Sequence, residues 1–179
     1  MNSKNNQQVL IGGIILYRDN KKKKQFLIVK NTKEDGWELP KVVVRKGESS
    51  VRSVIRVTGE QMGISVRVLE EAGRSSATVV LNNKPVSQKY FYYLMMQRSA
   101  NGEILGYADF QWLEYSQVTK KLTVKRDKDM FKNTKAVLKE WEKTKKHKIE
   151  LEEEELLLQE EADRIEAEKA EAEAEEEKE

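Results

Sequence analysis

Residues 51–62 carry the clearest periodic signal in the chain. Val51, Val54, Ile55, the half-apolar Thr58 and Met62 recur at i, i+3, i+4, i+7 and i+11, which predicts a short helix with one buried face. Ser49 or Ser50 is the predicted cap and Gly63 the predicted stop. At about 100° per residue, Arg52, Arg56 and Glu60 fall opposite that stripe and face solvent or a ligand. Upstream, residues 9–17 form an apolar run containing Gly12 and Gly13, and residues 25–30 a second β-rich run after a turn at Asp19-Asn20-Lys21. Downstream, residues 66–71 and 75–81 read as two strands, followed by a turn at residues 82–85. The aromatic run in residues 86–97 does not alternate with polar positions, so it predicts a strand buried on both faces rather than a stacking platform for bases. A short strand over residues 109–113 follows the Asn101-Gly102 turn. A helix beginning at Asp127 or Asp129 then places Met130, Phe131, Thr134, Val137, Leu138 and Trp141 on one face to close the core.

Charge divides the chain. Hydrophobic residues make up 38% and charged residues 36% of the 179, so part of the chain is expected to be solvated. Residues 150–179 hold 16 acidic and 3 basic groups, a net of −13, while the first 149 residues hold 30 basic and 15 acidic groups, a net of +15. The expected organisation is a flexible segment at 1–8, a domain at 9–142 and a charged tail at 143–179, Lys-rich and then Glu/Ala-rich, helical or disordered. The chain has no cysteine, which excludes disulfides and thiolate chemistry. No stretch approaches the ~20 apolar residues of a membrane helix, and a cytoplasmic, soluble protein is the expectation.

Residues 37–64, WELPKVVVRKGESSVRSVIRVTGEQMGI, resemble the Nudix box, G-x5-E-x7-R-E-U-x-E-E-x-G-U with U aliphatic. Glu48, Arg56, Glu60, Gly63 and Ile64 fall on motif positions; Val42, Val57, Thr58 and Gln61 stand where the motif has glycine, glutamate, an aliphatic residue and glutamate. The flanking segments around Ile11, Phe26, Trp37 and Phe110 look like the strands and loops of that family, over residues 9–139. The resemblance implies an α+β fold, a Nudix-like α/β/α sandwich with a mixed central sheet. It also implies a box that holds a divalent metal, usually Mg2+ or else Mn2+, and cleaves a diphosphate linked to another group.

Hard cations need oxygen ligands, and the metal neutralises the diphosphate and activates water. By resemblance, the candidate ligands are Glu60, Gln61, Glu48, the main-chain carbonyl of Lys41, and Asp109 or Glu103 from a later loop. Valine cannot ligate a metal, and by the helical count Val57 lies outside the buried stripe, in the presumed site. Arg56, with no glutamate at 57 to orient, is expected to pair with Glu60 at i+4. Lys41, Arg45, Lys46 and Arg52 are candidate phosphate-binding groups.

Three functions follow. One is a Nudix-fold protein with a decayed hydrolytic site, binding a nucleotide, another phosphate-bearing ligand or a macromolecular partner. Another is a working Mg2+-dependent hydrolase of a nucleoside diphosphate derivative, with Glu60 and Arg56 as catalytic groups. A third is a nucleic-acid or ribosome-associated adaptor, because a body at +15 attracts polyanions. His147, the single histidine, has no nucleophilic partner motif.

Overall fold

A computed structural model of the protein describes residues 8–32 and 35–176, the last twelve by backbone alone. Residues 1–7, within the segment expected to be flexible, lie outside the described residues. The elements are β1 (Gln8–Asn20), β2 (Lys23–Lys30), β3 (Trp37–Glu38), β4 (Lys41–Val43), α1 (Ser50–Glu60), β5 (Ile64–Leu81), β6 (Lys84–Ala100), β7 (Asp109–Glu114), α2 (Tyr115–Lys121) and α3 (Lys125–Glu176).

The sheet runs β3-β2-β1-β6-β5, with β4 added to β1 and β7 to β2. β1 organises it. Its later residues pair with β2 and its earlier ones with β4, both antiparallel, while its other edge pairs in parallel with β6. The parallel central pair requires cover on both faces, and the alternation along the strands supplies two apolar layers. Ile14, Leu16, Leu27, Val29, Tyr93 and Met95 pack with Val54, Val57 and Met62 at α1. Ile15, Phe26, Ile28, Tyr92 and Leu94 pack with Val118 of α2 and Phe131 of α3. The expected mixed sheet between helical layers is therefore observed.

Gly12 and Gly13 let both layers approach β1. A Cβ at Gly12 would stand 2.6 Å from Val54, and one at Gly13 would collide with the Tyr92 ring. Their role is packing, consistent with the absence of a dinucleotide fingerprint.

Two expectations are corrected. The strands predicted at 66–71 and 75–81 are one strand, β5, which absorbs the irregular stretch through register shifts at Val68/Glu70 and Glu71/Gly73. Bulges let one strand bend where sequence periodicity breaks. Helix α2, which the hydrophobic pattern did not predict, starts where the Gln117 side chain accepts a hydrogen bond from the Glu114 backbone N–H (3.0 Å). The β1–β2 turn places Lys21 and Lys22 at φ 47° and 73°.

The chain divides into compact units Met1–Leu138 and Lys139–Glu179. In the first, Phe131 and Thr134 of α3 are buried, as the helical spacing predicts. In the second, side chains from 139 to 164 are exposed apart from half-buried Trp141, and i, i+4 pairs such as Lys146 with Glu150 line the helix. No helix among the described residues is long and apolar enough to cross a membrane.

Candidate functional site

α1 starts at Ser49, whose side chain accepts a hydrogen bond from the Arg52 backbone N–H, and stops at Gln61. Gly63 follows at φ +59°, and a Cβ there would meet Gly102 Cα at 2.6 Å. Only glycine satisfies both the left-handed backbone and that close approach. Asn101 N–H then donates to the Gly63 carbonyl and Leu105 N–H to that of Gln61, fixing the β6–β7 connection against the end of the helix.

The buried face of α1 is rotated from the predicted one. Ser53, Val54, Val57 and Thr58 are buried, whereas Ile55 is 44% exposed. Val57, expected beside Glu60 in the site, instead fills the apolar layer beneath the helix. Ser53 tolerates burial because its hydroxyl donates to Glu48 Oε2 (2.7 Å) and to the Ser49 carbonyl (3.2 Å).

Arg56 makes the expected i, i+4 pair with Glu60 and a closer one that the sequence did not predict. Its main partner is Glu48, which accepts from Nε at 2.8 Å and Nη2 at 3.0 Å, while Glu60 sits at 3.4 Å from Nη1. The fork arrangement favours the near partner. Arg56 and the Ser53 hydroxyl together hold the Glu48 carboxyl down at about 2, from an ordinary 4.5. Both Glu48 oxygens are thus engaged, and Glu60 stands 60% exposed at the end of the helix.

Lys41 belongs to a second network. Its ammonium donates to Glu38 Oε2 (2.6 Å), to the Leu39 carbonyl (3.1 Å) and to Asp127 Oδ2 (2.6 Å). Asp127 is fully buried and also accepts from the Leu39 N–H (2.9 Å) and the Tyr92 hydroxyl (2.7 Å). Burial and the Asp127 charge hold the Tyr92 phenol above its ordinary value, so it remains a donor. The Lys41 side chain, a candidate phosphate ligand, is committed to these carboxylates. Nearby, burial and the Glu38 charge push the Tyr107 phenol up to about 12.

The remaining candidates are dispersed. Val42 pairs with Gly12 in β4, using its extended preference where the motif has a glycine turn. Asp109 opens β7 opposite Lys30 and accepts from the Phe110 N–H (2.8 Å). Glu103 lies exposed on the β6–β7 connection, and Gln61 is exposed past the helix. Arg45, Lys46 and Arg52 are exposed around the start of α1. Among the described residues, no three His, Cys, Asp or Glu side chains converge as a metal site would need. Sequence reading missed the network that Glu38, Tyr92 and Asp127 form around Lys41 and Leu39; the one signal available was Asp127 as a helix-starting residue.

Comparison with known proteins agrees with this fold. The Ap4A hydrolase of C. elegans in a binary complex is 22% identical, with 73% of this chain and 97% of that one covered at a TM-score of 0.57. The NUDIX domain of NrtR from Shewanella oneidensis, complexed with ADP ribose, is 15% identical, covering 73% and 88% at 0.57. A NUDIX hydrolase from Nitrosomonas europaea is 14% identical, covering 73% and 90% at 0.59. No curated protein sequence matches the chain. The model of the NUDIX domain family matches residues 9–134, and the chain belongs to the Nudix family.

Proposed function

We propose that this protein uses the Nudix fold to bind a nucleotide or another phosphate-bearing ligand and has lost efficient hydrolysis. The observation that carries this reading is the fate of the carboxylate positions of the box. Val57 is core, Gln61 is neutral, and Glu48 has both oxygens taken by Arg56 and Ser53. Glu60 is left as the one carboxylate on α1, so a magnesium ion shared with a diphosphate would be held there by a single protein carboxylate, and weakly. Binding instead falls to Arg45, Lys46 and Arg52, which stand exposed beside the first turn of α1, where the helix dipole adds to their attraction for an anion. The similarity to an Ap4A hydrolase and to a NUDIX domain complexed with ADP ribose supports a nucleotide as the first ligand to try.

The test titrates ADP-ribose and diadenosine tetraphosphate calorimetrically and follows their cleavage with Mg2+ or Mn2+. Saturable binding is expected, with turnover below about 10⁻² s⁻¹ against the usual enzymatic ~1–10³ s⁻¹. Turnover inside that range, abolished by Glu60→Gln, overturns the proposal and restores the hydrolase reading.

A further inference from the structure

The sheet ends at β5, whose outer edge meets no strand among the described residues. An open edge presents unpaired N–H and C=O groups to any other chain, and proteins guard such edges with charges, prolines and bulges. The first part of β5 is guarded in this way: Arg67, Glu70 and Arg74 stand exposed along it, and register shifts at Val68/Glu70 and Glu71/Gly73 bend it. Beyond Arg74 the guards stop. Residues 75–81, Ser-Ser-Ala-Thr-Val-Val-Leu, carry no charge and no proline, pair with β6 without a shift, and leave Val80 73% and Leu81 51% exposed. Asn82 and Asn83, at φ 49° and 59°, form the left-handed two-residue turn that holds this stretch in register with β6.

The stretch is its own complement. Antiparallel pairing about Thr78 sets Ser75 opposite Leu81, Ser76 opposite Val80, Ala77 opposite Val79 and Thr78 opposite Thr78. Each aliphatic residue then meets a small one, and the central threonines form a favourable cross-strand pair. Sliding the register one way would set Val80 opposite Arg74; sliding it the other would set Ser76 opposite Asn82, where the partner strand turns away and the ladder is lost. The strand that fits this edge is therefore the same strand of a second copy.

We propose that two copies of this protein associate edge to edge through residues 75–81 of β5, antiparallel about Thr78, joining their sheets into one. The pairing covers Val80 and Leu81, and its two-fold symmetry uses up the unguarded edge of both copies, so association stops at the dimer. So short a contact lies below the area of a standard stable interface, which makes the dimer a weak one. It uses no residue of the box or of the basic cluster and does not rest on the proposed function.

The chain has no cysteine, so a single introduced thiol reads the register directly. Thr78→Cys places the two thiols on the symmetry axis, where opposed Cα atoms lie ~4.5–5.5 Å apart, within disulfide reach. Ser76→Cys places them four residues apart along the strands, about 13 Å, outside that reach. Under mild oxidation the full-length Thr78→Cys protein should cross-link at least tenfold faster than the Ser76→Cys protein. Sedimentation velocity of the wild type from micromolar to millimolar protein should show a concentration-dependent dimer that persists at high salt, weakened at least tenfold by Thr78→Lys. Thr78 is exposed, so both of its variants keep the fold, which thermal melting checks. A wild-type monomer at millimolar concentration overturns the proposal, as does equal cross-linking at both positions or a dimer unchanged by Thr78→Lys. A dimer that dissolves in high salt also overturns it, assigning association to charge rather than to strand pairing.

Discussion

Two ion-pair networks bracket the loop before α1, and they treat the same residue types oppositely. Glu48 and Arg56 meet at the helix surface, with side chains 17% and 19% exposed. Lys41 meets Asp127 where the carboxylate has no solvent contact at all and takes three donors. A buried pair contributes little net stability over apolar packing yet is costly to break, whereas a pair near solvent is screened and replaceable. A lysine in a basic loop is thus no measure of available positive charge; what it touches decides that.

The largest expected effect removes one side of the buried network. Asp127→Ala leaves the Leu39 N–H and the Tyr92 hydroxyl without their acceptor and takes from Lys41 one of its two carboxylates, and should cost about 3–5 kcal/mol in urea unfolding. Val57→Glu, which restores a motif carboxylate, should destabilise by a similar ~3–5 kcal/mol because the position is 3% exposed in an apolar layer. An unchanged unfolding midpoint would mean that α1 turns to present residue 57 to solvent. Tyr92→Phe deletes one donor to a charged acceptor and should cost about 1.5–3 kcal/mol.

The surface pair is sharpened by pH. Because the folded Glu48 carboxyl titrates at about 2 against an ordinary 4.5, its contribution is complete above 4.5 and fades as pH falls from there towards 2. Wild type should exceed Glu48→Gln in stability near neutrality, and the gap should close over that interval in denaturant melts at stepped pH. A gap constant through acid would assign the effect to packing. Smallest of all, Gln61→Glu and Arg52→Ala lie on exposed positions and should move stability by no more than about 0.5 kcal/mol, while Arg52→Ala weakens phosphate-ligand binding severalfold.

Most of the sheet was readable because alternating and unbroken apolar runs report burial directly, and α1 was readable from its spacing and caps. The phase of α1 was not. A serine looks solvent-facing and an isoleucine buried until Glu48 is seen to satisfy the Ser53 hydroxyl, which lets that serine sit on the buried face with Val57. The Lys41 network was hidden for a different reason: its members lie 86 residues apart in sequence, beyond any periodic signal. The candidate site was therefore legible as a list of residues, while their partners came from the tertiary structure.

Gly13 shows how far a missing side chain reaches. Because β1 leaves clearance there, the Tyr92 ring lies flat across the strand and its hydroxyl extends to the first turn of α3. One methyl group at position 13 would lever that phenol aside and so loosen the strap joining the helix to the loop at Leu39, making the smallest residue in the first strand a custodian of geometry more than a hundred positions downstream.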